Sequence, residues 1–206
     1  REITLRAVPG RIIIIPVLNI SAFRSGTRES VDDDGVNLNR AFVDDAGKIP
    51  SLSGITHRIA EFVRNYIWPR IHVSIDLHAG GEVAKFALCS SFHDIQEPIR
   101  RKVVEETARW FGTPVILTYQ NATPGLLPSE CDRLGKISIG TELGWGQSIN
   151  SEGVRYAKHG VRAAAIHHDQ LRGTIEPIGH HLNGTQLLAN ATDPACTFIA
   201  PYPGHY

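Results

Sequence analysis

The sequence predicts a layered α/β domain around a mainly parallel or mixed sheet. Short apolar runs rich in β-branched residues alternate along the chain with segments of helical period. With 206 residues the chain can bury one main core. Two of the runs end in Gly-rich turns beside His78 and Glu142, the strand-end position at which α/β sheets gather ligands.

Arg11 to Leu18 (RIIIIPVL) is apolar and β-branched, which predicts a strand buried on both faces. From Ser21 to Ser53 the chain turns to Gly, Ser, Asp, Asn and Arg without a sustained period, and a long structured loop is expected. Ile55, Ile59, Phe62, Val63, Tyr66 and Ile67 then mark one face of a helix ending at Pro69. His72 to Leu77 (HVSIDL) predicts a strand running into His78 and a turn at Ala79-Gly80-Gly81, and Lys85 to Cys89 (KFALC) predicts another. Pro98 opens a second helix with Ile99, Val103, Val104, Ala108 and Phe111 inward and Gly112 at its end.

Pro114 to Tyr119 (PVILTY) reads as a strand, Gln120 to Gly135 as a loop, and Ile137 to Leu143 (ISIGTEL) as a strand before Gly144-Trp145-Gly146. A third helix is expected from Ser151, with Val154, Ala157, Val161, Ala164 and Ala165 on its core face. The periodicity fades after Arg172, and Cys196 to Ala200 (CTFIA) predicts the first strand of a β-rich piece. The expected division is an α/β domain over 1–172 and the beginning of a small β-rich C-terminal domain over 173–206.

Lys plus Arg and Asp plus Glu each number 21, so no net field draws nucleic acid or an anionic membrane. Cys89, Cys131 and Cys196 are odd in number and lack Cys-x-x-Cys spacing, which argues against a disulfide framework or a zinc knot and for a reducing, cytoplasmic setting. No apolar run approaches the roughly 18–20 residues of a membrane span, so a soluble domain is expected. The chain opens on Arg1 and contains no methionine, from which we expect residues to precede it in the native protein.

Three clusters could carry chemistry. In Asp76-Leu77-His78-Ala79-Gly80-Gly81 a strand-end histidine followed by glycines is placed to ligate a metal through a neutral ring nitrogen, with Asp76 able to orient it; a histidine that caps the strand is the alternative. In Asn37-Leu38-Asn39-Arg40 the Arg40 fork suits a carboxylate and Asn39 can add donors, although loop arginines are often only solvated. Glu142, in Gly140-Thr141-Glu142-Leu143-Gly144, is costly to bury in an apolar strand unless paired or functional; a salt bridge to a surface lysine is the bland reading. Arg28 is a weaker candidate on local grounds, and Asp32-Asp33-Asp34 reads as a hydrated turn.

Taken in order, Asn19 at the first strand end, GVNLNRAF at Gly35 to Phe42, IDLHAGG at Ile75 to Gly81 and GTELG at Gly140 to Gly144 resemble the succinylglutamate desuccinylase/aspartoacylase family, relatives of the zinc carboxypeptidases. WFGTP, TPGLLP and GTELGWG are most similar to its ectoine-catabolism branch of N-acetyl-2,4-diaminobutyrate deacetylases. The resemblance implies a zinc-carboxypeptidase-like core with a central mixed sheet, and a Zn2+ cofactor with His78 as a ligand. It also implies a carboxylate clamp from Asn39 and Arg40, Arg28 polarising the scissile carbonyl, and Glu142 as general base.

The family's other two zinc ligands come from a His-x-x-Glu motif ahead of the first strand, and no His-x-x-Glu occurs in this sequence. Two readings follow: the motif lies upstream of Arg1, which is preferred, or the chain is a metal-free binding module. The expected activity is zinc-dependent hydrolysis of an N-acyl amino acid, a small-molecule substrate, with a metallocarboxypeptidase as the rival enzyme. Self-association into a homo-oligomer is left open.

Overall fold

The computed structural model describes residues 10–43, 53–81, 85–120, 125–146 and 149–191. Five strands form one mixed sheet, β1 (Val73–His78), β2 (Cys89–His93), β3 (Val115–Tyr119), β4 (Ile137–Glu142) and β5 (Leu187–Asn190), in the order β1-β4-β2-β3-β5. β1 runs parallel to β4, β4 antiparallel to β2, and β3 parallel to both β2 and β5. The sheet thus takes its last strand from beyond Arg172, while Cys196–Ala200 lies outside the described residues.

Register and alternation give the sheet two unlike faces. Ile75, Ile137, Ile139, Phe92 and Ile116 project to one side and pack with Val104, Ala108 and Phe111 from the helix α3 (Pro98–Arg109) and its exit. Asp76, His78, Ser138, Gly140, Glu142, Cys89, Ser91, His93 and Tyr119 share the other side. Over that polar face lies α4 (Leu127–Arg133), against β4 and β2. Its Cys131 joins Phe42, Ala60, Val63 and Trp68 in a second core.

Several expected elements are placed differently. Arg11–Leu18 forms no strand; Ile12 to Ile15 are 36–72 % exposed, and the segment is tied by the Arg11 amide donating to Gln170 Oε1 at 3.0 Å. Apolar β-branched composition makes a strand only where a ladder partner exists, and no described strand pairs with this run. The strand predicted over Lys85–Cys89 instead begins at Cys89, whose neighbour register is set by Glu142. The long loop contains α1 (Ile20–Ser25), capped by Asn19 Oδ1 accepting from the Ala22 amide at 3.1 Å, and a 3-10 turn at Leu38–Arg40. The loop assigned to Gln120–Gly135 contains α4.

Helix α2 (Ile55–Phe62) buries Thr56 and Ala60, leaving Phe62 half exposed; its continuation at Val63–Ile67 is a π-turn, and a 3-10 turn at Trp68–Arg70 carries the chain through Pro69. The last long helix, α5 (Ser151–His167), buries Gly153, Tyr156, Gly160, Ala163 and Ala164, whereas Val154 and Val161 are exposed. Its inner face is rotated by one residue from the apolar count, because two glycines bring it in. A Cβ at Gly153 would fall 1.8 Å from the Leu143 carbonyl oxygen, and one at Gly160 would fall 2.2 Å from the Phe111 ring. A short helix, α6 (Gly179–Leu182), follows before β5. Among the described residues no helix is long and apolar enough to cross a membrane.

Three histidines on α5, its end and α6 sit below the ordinary imidazole value. Burial and the neighbouring His167 bring His168 to about 4, burial with Arg162, His181 and Arg155 lowers His159, and burial with Arg109 lowers His181. His168 Nε2 meets Thr107 Oγ1 at 2.9 Å across the α3–α5 contact. A depressed imidazole means that the unfolded chain binds more protons once the pH falls below about 6.5. The stability these groups contribute is complete above that value and is lost between about 6.5 and 4. We expect the urea midpoint to fall across this window and His168→Gln to flatten the fall; an unchanged slope in the variant would show that His168 is not a source of it.

Candidate active site

The β1–β4 pairing places His78 opposite Glu142, with Cys89 of β2 on the far side of Glu142. The exits of both strands are laced together: the Leu143 amide donates to the His78 carbonyl at 2.9 Å, Gly80 to Gly144 at 2.9 Å and Gly146 to Gly81 at 2.7 Å. Gly81 and Gly146 hold φ of 63° and 65°, left-handed conformations that a side chain would strain. His78 is further pinned by its amide donating to Thr141 Oγ1 at 3.2 Å.

One row down the same face, the Asp76 carboxylate accepts from His78 Nε2 at 2.8 Å. That bond raises the His78 pKa; burial opposes it, the charges of Asp76 and Glu142 reinforce it, and Arg28 opposes it. With Nε2–H committed to Asp76, Nδ1 carries the free lone pair. Burial raises the pKa of Glu142, while His78 and Arg28 pull it down. Glu142 Oε2 is buried and without a partner among the described residues. A carboxylate with one oxygen idle, desolvated and lifted towards neutrality is suited to taking up and returning a proton.

The structure therefore brings three of the five expected site residues into one electrostatic neighbourhood: His78, Glu142 and exposed Arg28, with Asp76 as the added partner. Asn39 and Arg40 are built from different contacts. Asn37 Oδ1 accepts the Asn39 amide at 2.9 Å to shape the turn, and Asn39 Oδ1 accepts the Leu127 amide at 2.7 Å at the start of α4. Arg40 is exposed and donates to the Asn39 carbonyl at 2.6 Å; it pairs with no carboxylate among the described residues. Asn39 thus holds the turn that displays Arg40, with its amide nitrogen left as a donor.

Four polar residues of the face and of the helix over it were not singled out from sequence: His93 and Tyr119 on the sheet, Asp132 and Glu130 on α4. Glu130 is fully buried, accepting from Arg64 Nε at 3.0 Å and from the Val43 amide at 3.3 Å. Asp132 joins His93 Nδ1 to Arg100 Nη2, the latter at 2.9 Å. The alternation in Cys89-Ser-Ser-Phe-His93 was the available signal for His93, but it was obscured by placing that strand four residues early. Among the described residues no group of three His, Cys, Asp or Glu side chains could hold a metal ion. His78 offers one imidazole, so the described donors do not by themselves complete a zinc site.

A family model for the succinylglutamate desuccinylase/aspartoacylase catalytic domain matches residues 1–168. The chain belongs to this family. Within it, the chain is 29% identical over 198 residues to the N-alpha-acetyl-L-2,4-diaminobutyric acid deacetylase of Halomonas elongata, covering 96% of this chain and 55% of that protein. The product-bound ectoine utilization protein EutE (DoeB) from Ruegeria pomeroyi superposes with a TM-score of 0.79 at 26% identity, over 93% of this chain and 55% of that one. The succinylglutamate desuccinylase/aspartoacylase structure from Rhodobacter sphaeroides gives 0.74 at 29% identity, over 90% and 53%. The chain spans about half the length of these relatives, and two of the three carry the names of the branch that WFGTP, TPGLLP and GTELGWG suggested.

The Asn39–Leu127 bond yields an expectation for the family's Asn-Arg turn. Asn39→Ala leaves a half-buried helix-start amide unsatisfied, which should cost about 1–3 kcal/mol by denaturant titration. A loss below about 0.3 kcal/mol would show that water replaces the bond.

Proposed function

We propose that this chain carries the base and substrate-anchoring groups of a hydrolase that cleaves the amide bond of an N-acyl amino acid, with zinc as its metal. The observation that carries this reading is Glu142, desolvated, with Oε2 unpartnered among the described residues, in register with His78 on the polar face. The family supports an amidohydrolase, and the Halomonas and Ruegeria relatives favour an N-acetyl-2,4-diaminobutyrate-like substrate.

Glu142 takes a proton from the attacking water and returns it to the departing amine nitrogen, two steps that a carboxyl group of raised pKa serves in turn. Arg28, the cation of this neighbourhood, stabilises the negative charge that develops on the acyl oxygen. Arg40 receives the substrate's free carboxylate through its planar fork, and the Asn39 amide adds a donor. Asp76 fixes the tautomer of His78 so that Nδ1 is the atom offered to zinc, the remaining ligands coming from outside the described residues.

Glu142→Gln keeps the shape and removes the proton acceptor. We expect kcat for an N-acetyl amino acid to fall about 10²–10⁴-fold with a smaller change in KM and unchanged zinc content. Near-normal turnover with metal bound would overturn the base assignment.

His78→Ala should lower zinc occupancy of the purified protein, read by elemental analysis, because a catalytic site retains about three protein ligands and loses one of them here. Stoichiometric zinc in the variant would remove His78 from the metal, and a metal-free wild type without turnover would favour a binding module instead.

A further inference from the structure

Arg28 and Arg40 belong to one loop. Glu29 and Asn37 form an antiparallel bridge, so Arg28 leads into one leg of a short stem and Arg40 follows the other leg by a single 3-10 turn. Between the legs the Ser30 amide donates to the Val36 carbonyl at 3.1 Å and the Gly35 amide to the Ser30 carbonyl at 2.9 Å. Both arginines are exposed, and the placement of each rests on the backbone beneath it.

That backbone is fastened to α2 by a chain of directed hydrogen bonds. Thr56, fully buried in the first turn of α2, donates its hydroxyl to Asp34 Oδ1 and its amide to Asp34 Oδ2, both at 2.8 Å. A carboxylate only accepts, so the single Thr56 hydroxyl proton is committed there and Ser30 must donate to Thr56 Oγ1, 2.8 Å away. Ser30, also fully buried, accepts in turn from Asn19 Nδ2 at 2.8 Å. The Val36 amide closes the chain on Asp34 Oδ1 at 3.1 Å. Burial raises the Asp34 pKa, but the Thr56 and Val36 amides and the Thr56 hydroxyl outweigh it and hold the group below its ordinary value. Gly54 makes room for this approach, since a Cβ there would fall 2.6 Å from that of Asp34. Asp34 is thus an anchor, whereas its neighbours Asp32 and Asp33 are exposed in the hydrated turn expected for all three.

We propose that Thr56, Ser30 and Asp34 are positioning residues that set Arg28 and Arg40 together, so that stabilisation of the acyl oxygen and capture of the substrate carboxylate depend on one buried anchor. Ser30 and Thr56 are enclosed and act only through the loop. The inference rests on the roles given to the two arginines in the hydrolase reading. In that reading Arg28 is felt in kcat and Arg40 in KM, and a shared anchor is felt in both.

Steady-state kinetics on an N-acetyl amino acid test it with Thr56→Val, which keeps the shape and removes the hydroxyl, and Thr56→Ser, which keeps the hydroxyl. Thr56→Val should lower kcat and raise KM together, by about tenfold each, while Thr56→Ser stays within about twofold of wild type. Combined with Arg28→Ala, Thr56→Val should lose no more kcat than Arg28→Ala alone, because Thr56 reaches that step only through Arg28. Unchanged constants in a folded Thr56→Val, an equal loss in Thr56→Ser, or full multiplication of the two kcat losses would each overturn the anchor. If Thr56→Val does not fold, Ser30→Ala takes its place with the same expectations. Hydrogen exchange reads the anchor without turnover: the Ser30, Gly35 and Val36 amides should exchange about tenfold or more faster in the variant, and unchanged rates would overturn it. Faster exchange in the variant of a protein whose wild type hydrolyses no N-acyl amino acid would support the anchoring of the loop and sink the hydrolase reading.

Discussion

The residue-for-residue parallel pairing of β1 with β4 is the constraint on which the site depends. It sets His78 against Glu142 and Asp76 against Gly140, and strict alternation sends all four to one side. A slip of β1 by one residue would turn Leu77 onto that side and drive Asp76 and His78 into the layer filled by Ile139 and Phe92. The apolar packing with α3 thus enforces the register that sets His78 against Glu142. Fold and site are stabilised by the same choice of face.

A sheet with one polar face needs a cover that can satisfy it. Helix α4 does this by charge pairing: Glu130 with Arg64 and the Val43 amide, Asp132 with His93 and Arg100. Unpaired, each buried carboxylate would cost several kcal/mol, on the order of a domain's whole stability. The same helix begins on Asn39 Oδ1, which ties the turn displaying Arg40 to the cover over His93. The turn at Leu38–Arg40 and the polar floor are thus joined through seven residues of helix.

On the opposite side, close approach replaces bulk. Gly153 lies on the Leu143 carbonyl just past Glu142, and Gly160 lies on the Phe111 ring. The start of α5 is therefore pressed onto the exit of β4, where Asn150 Oδ1 caps it by accepting the Gly153 amide at 2.7 Å. Larger residues at these positions would lift the helix and loosen the strand end that holds Glu142.

The strands over 73–78, 115–119 and 137–142 and the helices from Pro98 and Ser151 were legible because apolar period and end signals are local properties of the chain. His78, Glu142 and the Asn39-Arg40 pair could be singled out as candidates for a related reason: polar residues at strand ends or in a Gly- and Asn-rich turn stand out against their neighbours. Tertiary structure decided what local pattern cannot encode. It denied Arg11–Leu18 a ladder, moved the second strand to Cys89–His93, and turned the inner face of α5 by one residue through glycines that a hydrophobicity count ignores. It also gathered Asp76, His93, Tyr119 and Asp132 from four elements, since a side chain's electrostatic partners are fixed by which strands lie side by side, and that order is written in long-range pairing rather than in any short stretch of sequence.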